Sequence, residues 1–162
     1  MRTVKDFLAD FRTQSLRTAR VVRLFEDKDL NLKPGPGSMS TAEQVNHICA
    51  SRNFIKGLLN EDNPSAELFM RQFDVNTSAK ALAALKQSAD EVLGAGGGMT
   101  DEKWQQKLAP WGPEYNWPRE KMCYVMIEHE GHHNGQLHVY ARVVGKVPVM
   151  LYHPVDESVY NL

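Results

Sequence analysis

Apolar residues recur at steps of three and four through four long stretches of this chain, and no stretch alternates apolar with polar residues as a half-buried strand would. That periodicity calls for helices packed on helices. The first stretch runs from Val4 to about Phe25, with Val4, Phe7, Leu8, Phe11, Ala19, Val22 and Phe25 along its apolar side. Residues 33–40, KPGPGSMS, are too rich in Pro and Gly to continue it, and Ser40 followed by Glu43 is a capping-box signature for a second helix reaching about Leu59. A polar stretch from Asn60 to Ser65 ends that helix. Asn76, Thr77 and Ser78 are candidate caps for a third, which carries Ala79, Leu82, Leu85, Ala89 and Leu93 and stops at the GAGGG run of residues 94–98. Pro118 suits the first turn of a fourth, which extends to about Val144, where Gly145 ends it and Pro148 prevents its resumption.

Between the third and fourth helices, Met99 to Trp117 holds three Trp and two Pro without sustained periodicity, so it reads as a long ordered crossover with one short helix near Asp101. Trp104, Trp111 and Trp117 either roof a pocket or pin this loop to the bundle. The expected fold is all-α: a four-helix bundle, antiparallel or mixed, with a long irregular crossover before the last helix, in a single domain over 1–162. A chain of 162 residues buries roughly two-thirds of its unfolded surface, so it does not depend on a structural metal or disulfides, and any metal is free to serve chemistry.

Nineteen Lys plus Arg against twenty Asp plus Glu leave a net charge of −1, without the basic excess that phosphate-backbone binding needs. Nucleic acid is not an expected partner. Nor is a membrane, because no apolar run approaches the ~20 residues of a span and the N-terminus interleaves charges with apolar residues. A cytosolic protein is expected, with Cys49 and Cys123 as reduced core thiols.

The chemistry concentrates in HEGHHNGQLH, residues 129–138, within the fourth helix. His129 and His133 are one turn apart, their Cβ atoms about 6 Å from each other, close enough to share an ion. They interrupt a buried stripe formed by Met122, Met126, Leu137 and Tyr140, and burying two imidazoles requires hydrogen bonds or a metal to compensate. His132 points elsewhere. A third imidazole comes from His47, which shares an inward face of the second helix with Ser51, Phe54 and Leu58. Two helices presenting imidazole to one interior suggest a three-His metal site.

The string His129-Glu130-Gly131-His132-His133 also matches the HExxH helix of zincins, in which Glu130 would be the general base. That reading stays a lesser alternative, because those enzymes need a β-sheet that this sequence does not offer.

The inward His in TAEQVNHI, residues 41–48, together with HEGHHNGQLHVYARVVGKVP, residues 129–148, resembles the DinB-like superfamily of four-helix-bundle metalloproteins over nearly the whole chain. The resemblance implies a divalent metal on His47, His129 and His133. It also implies Arg where this chain has Asn134, so an anion contact made by that Arg would be missing here. Family members of known activity are S-transferases and isomerases that use low-molecular-weight thiols such as bacillithiol or mycothiol.

Three neutral imidazoles leave an ion its full charge and an open position, which suits hydroxide formation for hydrolysis or activation of a thiol. Zinc, nickel, iron and copper all suit such a donor set. The expected function is a thiol S-transferase acting on small electrophiles. A metal-dependent hydrolase and a stress-related metal-binding protein without turnover are the alternatives, and a homodimer is the expected assembly. Glu43 and Gln136 are candidates to orient a ligand ring, or else an ordinary cap glutamate and helix glutamine. Glu130 sits about 100° round the helix from its neighbouring histidine.

Overall fold

The structure is a computed structural model that describes residues 2–161; Met1 and Leu162, the ends of the expected 1–162 domain, lie outside the described residues. Its helices are α1 (Val4–Val22), α2 (Thr41–Asn60), α3 (Ser78–Leu93), a short α4 (Asp101–Gln105) and α5 (Arg119–Val143). Hydroxyl caps set four of the five starts: Thr3, Ser40, Thr77 and Thr100 each accept from the backbone N–H three residues on. Ser40 and Glu43 form the reciprocal capping box. At the far end of α5, Gly145 adopts φ +77° and Lys146 N–H bonds back to Ala141 O, a glycine-terminated stop.

The all-α expectation holds, with two differences. First, α1 ends at Val22 rather than Phe25, because Leu24 and Phe25 N–H groups bond three residues back and tighten the turn, although Phe25 stays buried. Second, the crossover carries a small antiparallel ladder of β1 (Lys107–Leu108) and β2 (Trp117–Pro118), with Lys107 opposite Pro118 and Leu108 opposite Trp117. Two-residue strands carry no period that a sequence could display.

Side-chain partners fix the helix directions. Asp10 meets Tyr124 while Thr18 meets Glu130 and Asn134, so α1 and α5 run parallel. Gln44 meets Gln136, Arg52 meets Glu130 and Leu58 O meets Arg119, so α2 runs antiparallel to α5. Arg52 reaches Leu85 O, Lys56 reaches Glu91 and Asn60 reaches Gly96, so α2 and α3 are parallel. Joining parallel neighbours obliges the chain to return along the bundle, and residues 61–77 do so. Asn53 donates to Leu68 O and Asn46 accepts from Phe73 N–H to hold that return in place. Gly57 makes the close approach feasible, because a Cβ there would overlap Leu68.

Two apolar clusters fill the interior. One gathers Val22, Val45, Ile48, Leu82, Leu85 and Leu137, the other Phe7, Phe11, Phe54, Leu58, Trp104 and Met122. A polar layer crosses the bundle with them. Arg52 and Glu130, both essentially fully buried, form a two-pronged ion pair at 2.7 and 3.0 Å. Leu85 O and Ser88 Oγ accept from Arg52, and Thr18 Oγ1 donates to Glu130 at 2.7 Å. Burial alone would lower the Arg52 pKa, but the Glu130 carboxylate beside it more than offsets this and holds it above its ordinary value. A second buried cation, Arg119, donates to Leu58 O and Glu61 O and so closes the C-terminus of α2.

Candidate metal centre

The antiparallel packing of α2 on α5 brings His47 against the one-turn pair His129 and His133. The three rings sit edge to face with centroids 4.5–4.9 Å apart. Their Nε2 atoms converge: His47 to His129 is 3.1 Å and His133 to His129 is 3.2 Å. Among the described residues this is the group of three or more His, Cys, Asp or Glu side chains whose donor atoms all lie within 4.8 Å of one another. Met122, Met126, Leu137 and Tyr140 flank it as the buried stripe anticipated from the sequence.

The outer nitrogens show which inner ones carry lone pairs. His133 Nδ1 lies 2.6 Å from Gln44 Oε1 and 2.8 Å from Gln136 Oε1, both acceptors, so the ring proton is on Nδ1 and Nε2 is bare. His129 Nδ1 faces Ser51 Oγ at 3.4 Å, and that hydroxyl spends its own proton on His47 O. His129 is therefore also protonated on Nδ1. Two bare nitrogens then oppose each other at 3.2 Å, which is unfavourable unless a cation lies between them. The spacing suits one: nitrogens about 2.0–2.1 Å from a tetrahedral ion are about 3.3 Å apart. The donor set fits a divalent transition metal.

The electrostatics agree. Burial lowers the pKa of all three imidazoles, and for His129 burial together with the neighbouring His133 and His47 rings pushes it down to about 4. The rings are thus held neutral, as metal ligation requires. Gln44 also donates to Gln136 Oε1 at 2.7 Å and to Tyr140 OH at 3.4 Å, and Tyr140 OH in turn donates to Met39 O, so the carboxamides behind His133 are themselves fixed. Gln136 thus stands where a ring-orienting residue was expected. Gln44 was not anticipated; its signal was its position three residues before His47 on the same helical face.

Other candidates fall elsewhere. Glu130 turns into the core and is held by Arg52 and Thr18, so it is not placed as a base at the histidines and the zincin reading fails. Glu43 is exposed, capping Ser40 and pairing with Lys33. Asn134 is buried on the core side, donating to Thr18 Oγ1. His132 is exposed, its Nε2 3.0 Å from Gln136 Nε2. Cys49 and Cys123 are fully buried, and burial pushes Cys49 up to about 11 and Cys123 higher still, so neither offers a thiolate. The tryptophans pin the crossover. Trp104 is buried against Phe7 and donates to Arg2 O, Trp111 packs on Phe54 and Phe69, and Trp117 packs on Tyr115.

Comparison with solved structures places this architecture among known ones. A DinB-like protein of Bacillus subtilis superposes with a TM-score of 0.74 at 23% identity, covering 91% of this chain and 96% of its own. A DinB-like protein of Bacillus cereus gives 0.73 at 19% identity, covering 91% and 97%. At these identities the likeness is one of fold. No curated protein matches the chain. The family model described as "DinB family" matches residues 1–160, and with that match over nearly all of its length the chain belongs to the DinB family.

Proposed function

We propose that His47, His129 and His133 hold one divalent transition metal, zinc or nickel with iron as a further fit, and that the protein transfers a low-molecular-weight thiol to a small electrophile. The opposed bare nitrogens of His129 and His133 carry the metal assignment. When bound, the ion would supply Lewis-acid charge that lowers the pKa of a thiol beside it. The remaining requirements fall to the chain. Gln44 and Gln136 keep the His133 ring in one tautomer and one orientation. A cavity of about 560 Å³ beside His47, lined in part by Met39, Asn46, Phe69 and Phe73, offers room for the thiol's body. In the reaction the sulfur bonds to the electrophilic carbon, the leaving group departs with its electron pair, and the thiol proton passes to solvent.

Thiol transfer is favoured over hydrolysis by where the carboxylates are. A hydrolase needs a base to take a proton from water, yet Glu130 is committed to Arg52 and Glu43 to Ser40 and Lys33. A thiol needs only to lose its own proton. The test is turnover by the zinc- or nickel-loaded protein of monochlorobimane with bacillithiol, mycothiol and glutathione in turn. At least one thiol should give a rate that the His129→Ala variant lacks; equal rates for both proteins with every thiol would refute the proposal.

A further inference from the structure

The side of α5 turned away from the imidazoles faces solvent, and it adjoins most of the exposed apolar surface of the molecule. Seven of the ten large hydrophobic side chains that are exposed among the described residues fall between Val139 and Tyr152. Exposed hydrophobics are ordinarily scattered, so such a concentration marks a surface that something covers. Val139 and Val143 are 56% and 55% exposed on α5, and Val147 and residues 149–152 lie beyond its end. The chain from Pro148 to Tyr152 runs back beside Gly131, Gly135 and Arg142, so the two groups border one groove and form one surface. The Arg20 guanidinium fixes that return by donating to Met150 O at 2.9 Å, Leu151 O at 3.2 Å and His153 O at 2.9 Å. The seven residues leave roughly 700 Å² in solvent, close to the about 800 Å² that each partner buries in a specific interface.

The pattern along α5 says what covers it. Its outward face carries Glu128, Gly131, Gly135, Val139 and Arg142 at steps of three and four, with Val143 beside the last. A glycine inside a helix costs about 1 kcal/mol relative to Ala. A Cβ at Gly131 or Gly135 would meet nothing within 4 Å, so packing within the chain does not demand either. The glycines lie toward one end of the face and the valines toward the other. A second α5 laid antiparallel across the first about a two-fold axis therefore sets Val139 over Gly135 and Val143 over Gly131, each contact occurring twice. The charges match in the same register. Among the described residues Glu128 pairs with no cation, and Arg142 donates only to His138 O and pairs with no carboxylate. The two-fold brings Glu128 of each copy to the last turn of the other's α5, where Arg142 is.

We infer that this face binds a second copy of the chain, α5 against α5 in antiparallel, with valines seated over glycines and a Glu128–Arg142 ion pair at each end. The interface lies away from the histidines and does not depend on the function proposed for them.

Sedimentation velocity of the full chain and its variants, with helical circular dichroism as the check on folding, tests it. The parent should sediment as a dimer at micromolar concentration, and Val139→Glu, which changes an exposed side chain, should be a folded monomer. Glu128→Arg and Arg142→Glu each set like charges together twice and should weaken the dimer about tenfold or more. The double variant Glu128→Arg, Arg142→Glu should return to near parental affinity. Within one chain these residues are fourteen positions apart, about 21 Å along the helix, so only contact between copies can give that rescue. A monomeric parent overturns the proposal, and a monomer that instead partitions onto phosphatidylcholine vesicles assigns the face to lipid. A dimer of parental strength in Val139→Glu overturns it as well, because the copies would then meet elsewhere. So does a double charge variant no tighter than either single one.

Discussion

Gln44 reaches the candidate metal centre through an outer nitrogen, holding the His133 ring so that the inner nitrogen faces its two counterparts. Gln44→Ala is expected to weaken metal affinity by about 10- to 100-fold, as loss of such a partner does elsewhere, while Gln44→Glu, which still accepts from Nδ1–H, should restore most of it. Alanine at His47, His129 or His133 should empty the site, whereas His132→Ala should retain metal. Competition with a chromogenic chelator reads all six variants, and parental affinity in Gln44→Ala would show that Gln136 orients the ring unaided. The three histidines were legible because helical spacing alone places them on inward faces. Arg52 was not, because an arginine within an apolar helix face reads as a residue that snorkels to solvent, and only the fold shows the carboxylate that keeps it inside.

The elements meet at the Arg52–Glu130 pair, which joins α2 to α5 and, through Leu85 O, Ser88 and Thr18, to α3 and α1. Removing one member strands a buried charge, so Glu130→Ala should cost about 3–5 kcal/mol in urea unfolding. The double variant Arg52→Met, Glu130→Leu should recover most of that loss. A double variant as unstable as the single would mean that the pair contributes more than mutual neutralisation. Helix starts were legible in advance because Ser40 and Thr77 carry short-range chemical signals. The early end of α1 and the β1–β2 ladder were not, since each depends on what packs against it. Helix direction was equally hidden: residues 61–77 look like a loop, and their return along the bundle shows only where Asn46 and Asn53 receive them.

For the molecule as a whole, the ion and the fold should be separable, because two apolar clusters exist apart from the histidines. Chelation should leave the helical circular dichroism intact at room temperature and lower the melting temperature only modestly; collapse of the helical signal would make the centre structural. The metal-free protein should also lose stability as pH falls from about 6.5 toward 4. In the folded state burial lowers the imidazole pKa values, to about 4 for His129, so in that window the unfolded chain binds more protons and is favoured. Melting curves across that range check the sign. The histidines also bear on timing, because His47 precedes His129 by 82 residues. A chain emerging during synthesis holds an incomplete set of these imidazoles until its last helix docks. Any ion that the three imidazoles hold would therefore be met by the folded bundle and not by the growing chain.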